Sequence, residues 1–356
     1  MLWPDGAPSG RPRDGTAAGH DGPPQVLKAG LVGGRGPASR LRRRIEWRPA
    51  VCGPPFPGDQ MRRRPVLWVS MVLLAVFGYD AVLRSALTDV MRLPAIPGGL
   101  KVVTAVLALF SLTHAWYSIG GRLTAAFFVL SAAISWGYEQ VGVMTGLVFG
   151  AYHYTDYLGS KLGEVPLLIP LAWFMMIYPS YVTANLLLEG RPTGTPGGAW
   201  RLVRLAAASA AVMTVWDLVV DPILSGPSVK AWVWENGGPY FGTPVQNYLG
   251  WLATTFTVYL VYRAVEQRWT VTGPRDAASI PTLRTATPLG PEIAVLPVAA
   301  YGLMLVADLL SGVAPAGLAS VGTVVMGVPC GLAAFRLVRA GRQGQSATQA
   351  VGRWAP

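Results

Sequence analysis

The stretch VPLLIPLAWFMMIYPSYVTANLLL, Val165–Leu188, decides the fold, because it runs from end to end without one Asp, Glu, Lys, Arg or His. A helix of about 20 mostly apolar residues crosses the hydrocarbon core of a bilayer. Working outward in both directions, seven more apolar runs appear, near Val66–Leu83, Val102–Ile119, Leu123–Gly150, Leu205–Val220, Tyr248–Val265, Ile293–Leu310 and Gly317–Val338. Backbone groups inside hydrocarbon must pair within their own segment, and no run shows the polar–apolar alternation of a membrane barrel. The expected fold is therefore all-α, a polytopic integral membrane helical bundle with about eight transmembrane helices.

Composition points the same way. Charged residues make up 13% of the 356 and hydrophobic ones 52%, whereas a soluble domain carries roughly 25% charged residues. The net charge of +11 arises largely from arginines in the N-terminal tail and the short connections, which is a topology signal rather than a nucleic-acid surface. No nucleic-acid partner is expected; the partner is the lipid bilayer. Counting connections alternately, one side collects the tail arginines, Arg122, Arg191, Arg201, Arg204, Arg268, Arg275, Arg284, Arg336, Arg339 and Arg342, and the other has Arg84, Arg92, Lys101, Lys161 and Lys230. The positive-inside rule then puts both termini in the cytoplasm of a multi-pass cell-membrane protein. Cys52 and Cys330 are too far apart in sequence to suggest a disulfide framework or a thiolate metal site.

Residues 1–60 are rich in Gly, Pro and Arg and lack the apolar content to offset chain entropy, so a disordered tail is expected there. Met61 precedes Arg62, Arg63 and Arg64 and an apolar run, and reads as an alternative start. Residues 61–340 form the transmembrane domain, and 341–356 a cytoplasmic tail.

Polar chemistry gathers between Trp136 and Trp251. Asp80, Asp156, Glu164, Asp217, Asp221, Glu235 and Asp308 all fall in the outer connections or outer halves of spans, with Glu139 at or beyond mid-depth. An ionisable group within a span is costly and by default functional. Glu139 sits in Trp136-Gly-Tyr138-Glu139-Gln-Val-Gly142-Val-Met-Thr-Gly146-Leu-Val-Phe-Gly150. The four-residue spacing of Gly142, Gly146 and Gly150 predicts a helical face of small residues that a helix or a thin ligand can approach closely. In Trp216-Asp217-Leu-Val-Val-Asp221-Pro222 the acids are four apart, on one helix face, with Pro222 expected at the helix end. Two neighbouring carboxyls in an apolar setting suit a protonated acid, and a divalent metal is the rival reading. The connection Trp232-Val-Trp234-Glu-Asn236 through Tyr240 and Asn247 to Trp251 reads as an ordered lid. Phe149-Gly-Ala-Tyr152-His153-Tyr154 holds the one histidine placed to act, since His20 lies in the tail and His114 in the second span.

These pieces together resemble the membrane carotenoid biosynthesis protein family, whose characterised members hydrate γ-carotene-type or bisanhydrobacterioruberin-type ends. The resemblance rests on Glu139 and its glycines, Phe149-Gly-x-Tyr152-x-Tyr154, the Val165–Tyr178 run with Pro170 and Trp173, Trp216-Asp217-x-x-x-Asp221-Pro222, and Trp232-x-Trp234 to Trp251. It implies addition of water across the terminal C1–C2 double bond of an acyclic (ψ) carotenoid end, giving a tertiary alcohol, with no cofactor and no metal. Catalysis is expected from Glu139, Asp217, Asp221 and His153. Substrate contacts are expected from Tyr138, Gly142, Gly146, Tyr152, Tyr154, Trp173, Trp216, Trp234, Asn236, Tyr240 and Asn247. The hydrophobic carotenoid would reach them from the bilayer along the glycine face, and other enzymes of carotenoid biosynthesis are further partners. Two rivals stand beside this: a Mg²⁺-dependent membrane prenyltransferase acting on an isoprenoid diphosphate, and a non-enzymatic carotenoid-binding or transport protein.

Overall fold

The computed structural model describes residues 57–88, 90–194, 196–271 and 291–352. The expectations for residues 1–56, for His20 and Cys52, for Arg275 and Arg284 and for the last four residues lie outside the described residues. Helix α1 (Pro57–Phe77) continues through a π-helical segment, Gly78–Leu83, into the short α2 (Arg84–Ala86). It is followed by α3 (Gly99–Ile119), α4 (Gly121–Thr145), α5 (Leu168–Glu189), α6 (Ala199–Leu224), α7 (Val245–Val271), α8 (Pro291–Leu309), α9 (Leu318–Val325) and α10 (Gly327–Gly352). Every expected span is met by a helix, the last by α9 and α10 in succession. Helix α10 continues to Gly352, through most of the stretch read as a tail.

Pro65–Ala86, Gly99–Ile119, Leu168–Glu189, Ala199–Leu224 and Leu318–Ala340 are long and apolar enough to cross a bilayer, and Ile293–Leu309 is a shorter apolar helix. Helices α4 and α7, of 25 and 27 residues, have the length but carry buried polar side chains, Glu139, Asn247, Arg263 and Glu266 among them. The chain is thus a multi-pass helical membrane protein. Its central helix is α5, which packs against α3, α4, α6, α8 and α10 and buries every residue from Trp173 to Leu186. The outer helices α1 and α10 instead expose Trp68, Val72, Leu332 and Phe335, side chains suited to lipid contact.

Helices α1, α5, α6 and α8 contain an internal proline, and those of α5, α6 and α8 are compensated in the same way. A proline lacks the N–H that would bond the carbonyl four residues earlier, and in hydrocarbon that carbonyl has no water to turn to. Pro179 in α5 frees the carbonyl of Met175, to which Ser111 of α3 donates its hydroxyl at 2.8 Å. Pro297 in α8 frees that of Ile293, met by His114 Nε2 at 3.1 Å. Pro222 in α6 frees that of Leu218, met by the Tyr240 hydroxyl at 3.1 Å. Helix α6 therefore does not end at Pro222, as expected, but runs on to Leu224. The bond to a carbonyl also assigns His114: Nε2 bears the proton, and Nδ1 accepts from the Tyr178 hydroxyl at 2.8 Å. Replacing Tyr240 by Phe should cost about 1–3 kcal/mol of stability by stranding the Leu218 carbonyl, seen as a lowered melting temperature of the detergent-solubilised protein.

The stretch after Glu139 departs most from expectation. Helix α4 stops at Thr145, and Gly146 closes it in the left-handed region with φ +67°, followed by Gly150 with φ +104°. Only Gly142 of the three glycines is helical, so no glycine face exists along which a ligand could slide. The turn folds back on α4 and packs Phe149 into the space beside Gly142. A Cβ at Gly142 would stand 2.6 Å from Phe149 Cδ2, and one at Gly250 of α7 would stand 2.6 Å from Phe149 Cδ1 and 2.5 Å from the carbonyl oxygen of Val148. The small residues make room for the turn from both sides.

The returning chain forms a strand, β1 (Tyr152–Tyr154), and the small pair β2 (Lys161–Leu162) and β3 (Val165–Pro166) precedes α5. Strand β4 (Trp232–Trp234), within the stretch read as a lid, pairs antiparallel with β1, Tyr152 opposite Trp234 and Tyr154 opposite Trp232. This two-stranded ribbon is an element that hydropathy alone does not announce.

Candidate active site

Successive residues of a strand point to opposite faces, so Tyr152 and Tyr154 share one face of the ribbon with Trp232 and Trp234. That face meets two carboxylates rising from the ends of α4 and α6. Both tyrosine hydroxyls donate to Oε2 of Glu139, Tyr154 at 2.8 Å, and Trp173 of α5 donates its indole N–H to Oε1 at 3.1 Å. Both indoles of β4 donate to Oδ1 of Asp221, Trp232 at 2.9 Å and Trp234 at 3.2 Å. The ribbon is thus a clamp, its tyrosines on one acid and its tryptophans on the other.

Helix α7 completes the arrangement. Asn247 Nδ2 lies 2.7 Å from Asp217 Oδ2 and 2.5 Å from Asp221 Oδ2, so one amide holds both aspartates together. One turn on, the Trp251 ring stacks on Trp173 with centroids 4.0 Å apart and meets Trp216 edge-on at 5.8 Å. Burial raises the pKa of the Tyr152 and Tyr154 hydroxyls well above the ordinary value, and the adjoining Glu139 charge raises it further. Both remain O–H donors throughout the physiological range.

These groups border a cavity of about 490 Å³, within the roughly 300–1,000 Å³ range of small-molecule sites. Its wall includes Glu139, Tyr152, Tyr154, Trp173, Trp216, Asp221, Trp232, Trp234, Asn247 and Trp251, together with Asp80, Arg84 and Asp308. Asp80 is paired there with Arg84 Nε at 3.0 Å and takes the backbone N–H of Ile96 at 2.9 Å.

Several expected site residues stand elsewhere. Asp217 is fully buried but does not border the cavity; it reaches Asp221 through Asn247. His153, between the two tyrosines, faces away by strand alternation and pairs with Glu235 at 2.5 Å, both more than half exposed. Tyr138 bonds Thr257 of α7 at 3.0 Å, the Tyr240 hydroxyl is engaged with α6, Asn236 is exposed, and Gly142 and Gly146 serve the turn. Conversely, Asp80, Asp308, Trp232 and Trp251 border the cavity without having been counted as site residues. Asp308 carried a legible signal, an acid inside an otherwise apolar run.

A second buried polar group lies in the opposite half of the bundle, where no chemistry was expected. Arg263 of α7, 1% exposed, donates to Asn185 Oδ1 at 2.9 Å and Ser209 Oγ at 2.8 Å and sits 4.6 Å above the Tyr181 ring. The Tyr181 hydroxyl donates to Glu266 at 2.6 Å and accepts from the N–H of Gly194 at 2.8 Å. These bonds tie α5, α6 and α7 together around Arg263 and Glu266.

Indole and amide N–H groups direct their positive ends at the oxygens of Asp221 and at Asp217 Oδ2. Among the described residues no group of three or more His, Cys, Asp or Glu is placed to hold one.

Residues 100–288 match the model of a family described as carotenoid biosynthesis protein. Over 178 residues the chain is 34% identical to a protein of Haloarcula japonica named bisanhydrobacterioruberin hydratase, covering 49% of this chain and 51% of the relative. The chain therefore matches about half the length of that curated relative. No solved structure matches the chain.

Proposed function

This chain belongs to the carotenoid biosynthesis protein family, and from that premise we propose that it is a carotenoid hydratase, adding water across the terminal C1–C2 double bond of a ψ end. One observation carries the reading: two carboxyl groups, Glu139 and Asp221, each held by three O–H or N–H donors, border an aromatic cavity inside a membrane bundle. The name of the similar Haloarcula japonica protein supports the reaction class.

Hydration of an isolated trisubstituted alkene starts with a proton. A carboxylic acid protonates the carbon that bears hydrogen, leaving a tertiary cation on its neighbour. Indole and phenol faces stabilise such a cation by on the order of 2 kcal/mol when water is excluded, and Trp173, Trp216 and Trp251 supply those faces. A carboxylate then orients a water molecule and accepts its proton as the C–O bond forms. A cavity of this size holds one end of the polyene, and the remainder lies in the bilayer. The positive-inside rule puts this edge of the bundle on the outer side of the membrane.

Expression in cells that accumulate lycopene or γ-carotene should produce a carotenoid heavier by one water, detected by liquid chromatography and mass spectrometry. Membrane-inserted protein that leaves several ψ-ended pigments unchanged would contradict the reading and favour a binding or transport role. EDTA separates the reaction classes in isolated membranes: the hydratase keeps its activity, whereas a Mg²⁺-dependent prenyltransferase loses it.

A further inference from the structure

Four carboxyl groups border the cavity, and three are already committed. Glu139 and Asp221 each accept from three donors. Asp80 is paired with Arg84 and also holds the backbone N–H of Ile96. The fourth, Asp308, is carried on α8, beyond the residues that the family model matches, in the apolar helix Ile293–Leu309. Its one partner among the described residues is Trp216, whose indole N–H meets Oδ2 at 3.2 Å. Oδ1 has no partner there, and it is not among the fully enclosed polar atoms.

We propose that Asp308 is a catalytic residue, the carboxylic acid that hands the proton to the alkene. The assignment rests on the hydratase reading and decides which acid begins the reaction. With Oδ2 accepting from Trp216, Oδ1 is the oxygen left to bear the proton and turn it toward the cavity. A carboxyl in an apolar helix, with one neutral donor on Oδ2 and with the cavity's Arg84 engaged by Asp80, is suited to hand over a proton. The donors around Glu139 and Asp221 favour the ionised carboxylate, the form that can orient a water molecule.

The placement of the aromatic rings agrees. Trp216 bonds Asp308 and meets Trp251 edge-on; Trp251 stacks on Trp173, which bonds Glu139. Three indoles thus form a row with a carboxyl at each end. The cation would form against this row, Asp308 at one end and the water-orienting carboxylates at the other. In the step itself the Asp308 O–H bond breaks and a C–H bond forms at the alkene carbon bearing hydrogen. The water oxygen bonds the resulting cation while Glu139 and Asp221 together orient it, one of the two taking its proton. That proton then leaves to solvent and Asp308 takes one up, so each turnover adds one water and leaves the protein unchanged.

The test compares wild type, Asp308→Asn and Asp308→Glu in membranes of cells accumulating a ψ-ended carotenoid. Protein level, co-purifying pigment and hydrated product are measured for each. Asparagine keeps the shape and can still accept from Trp216, yet has no proton to give. The expected result is a fall in product of about 100-fold or more, with protein and bound pigment unchanged and part of the product regained in Asp308→Glu. Product from Asp308→Asn above a tenth of wild type would overturn the proposal. Loss of bound pigment together with product would also overturn it, since Asp308 would then be a seat for substrate. Absence of product from wild type would bring down the hydratase reading and this assignment with it, whereas an active wild type isolates the question of Asp308.

Discussion

Glu139→Gln is expected to lower the yield of hydrated carotenoid by about 100-fold or more, the usual contribution of a positioned acid or base, at a near-normal level of membrane-inserted protein. The side chain keeps its length, and its one remaining oxygen still accepts from part of the set formed by Tyr152, Tyr154 and Trp173. The new NH₂ faces donors that it cannot satisfy, which should cost roughly 1–3 kcal/mol and appear as a modest drop in melting temperature. What cannot survive is the exchange of a proton with water. The product-to-substrate ratio per unit of protein, read by mass spectrometry, decides it. A ratio within tenfold of wild type would remove Glu139 from the chemistry and leave it as a bolt between α4, α5 and the ribbon.

Asp221→Asn should be at least as damaging, and for two separable reasons. Asp221 borders the cavity, so its loss removes a proton acceptor, again worth about 100-fold or more. It also anchors Trp232, Trp234 and Asn247, so an amide in its place loosens the β4 side of the clamp. Asp217→Asn provides the control, because Asp217 is buried behind Asn247 and does not border the cavity. It should lower the melting temperature while leaving measurable product, whereas Asp221→Asn should lose product beyond what its stability change explains. Equal loss of product in both variants would mean that the aspartates act as one unit through Asn247, and the assignment of Asp221 alone would fall.

These expectations replace part of what the motifs suggested. Asp217 and Asp221 four residues apart do share a helix face, as their spacing requires, yet only one of them reaches the cavity. Tyr-His-Tyr invites attention to the histidine. Once the segment is a strand, alternation forces a choice between the tyrosines and His153, and the tyrosines go to Glu139. The glycines after Glu139 read as a helical face because their four-residue spacing fits one. Gly146 and Gly150 instead take positive φ values and turn the chain back, and Phe149 fills the gap beside Gly142.

Hydropathy by itself determined the class of fold and the number and approximate limits of the helices, because solvation in hydrocarbon acts on each segment independently of its neighbours. Buried acids and aromatic motifs also marked the half of the bundle that holds the cavity. Which carboxyl meets which donor was decided only by tertiary structure. The bonds that define the site join Glu139 to Trp173, Asp221 to Asn247 and Trp216 to Asp308, pairs 34, 26 and 92 residues apart. Such separations leave no periodic trace in a sequence. The same holds for the side chains from other segments that cap the carbonyls freed by Pro179, Pro222 and Pro297. Local composition dictates that a segment is buried as a helix, while the partners of its polar atoms depend on which segments the folded chain brings alongside.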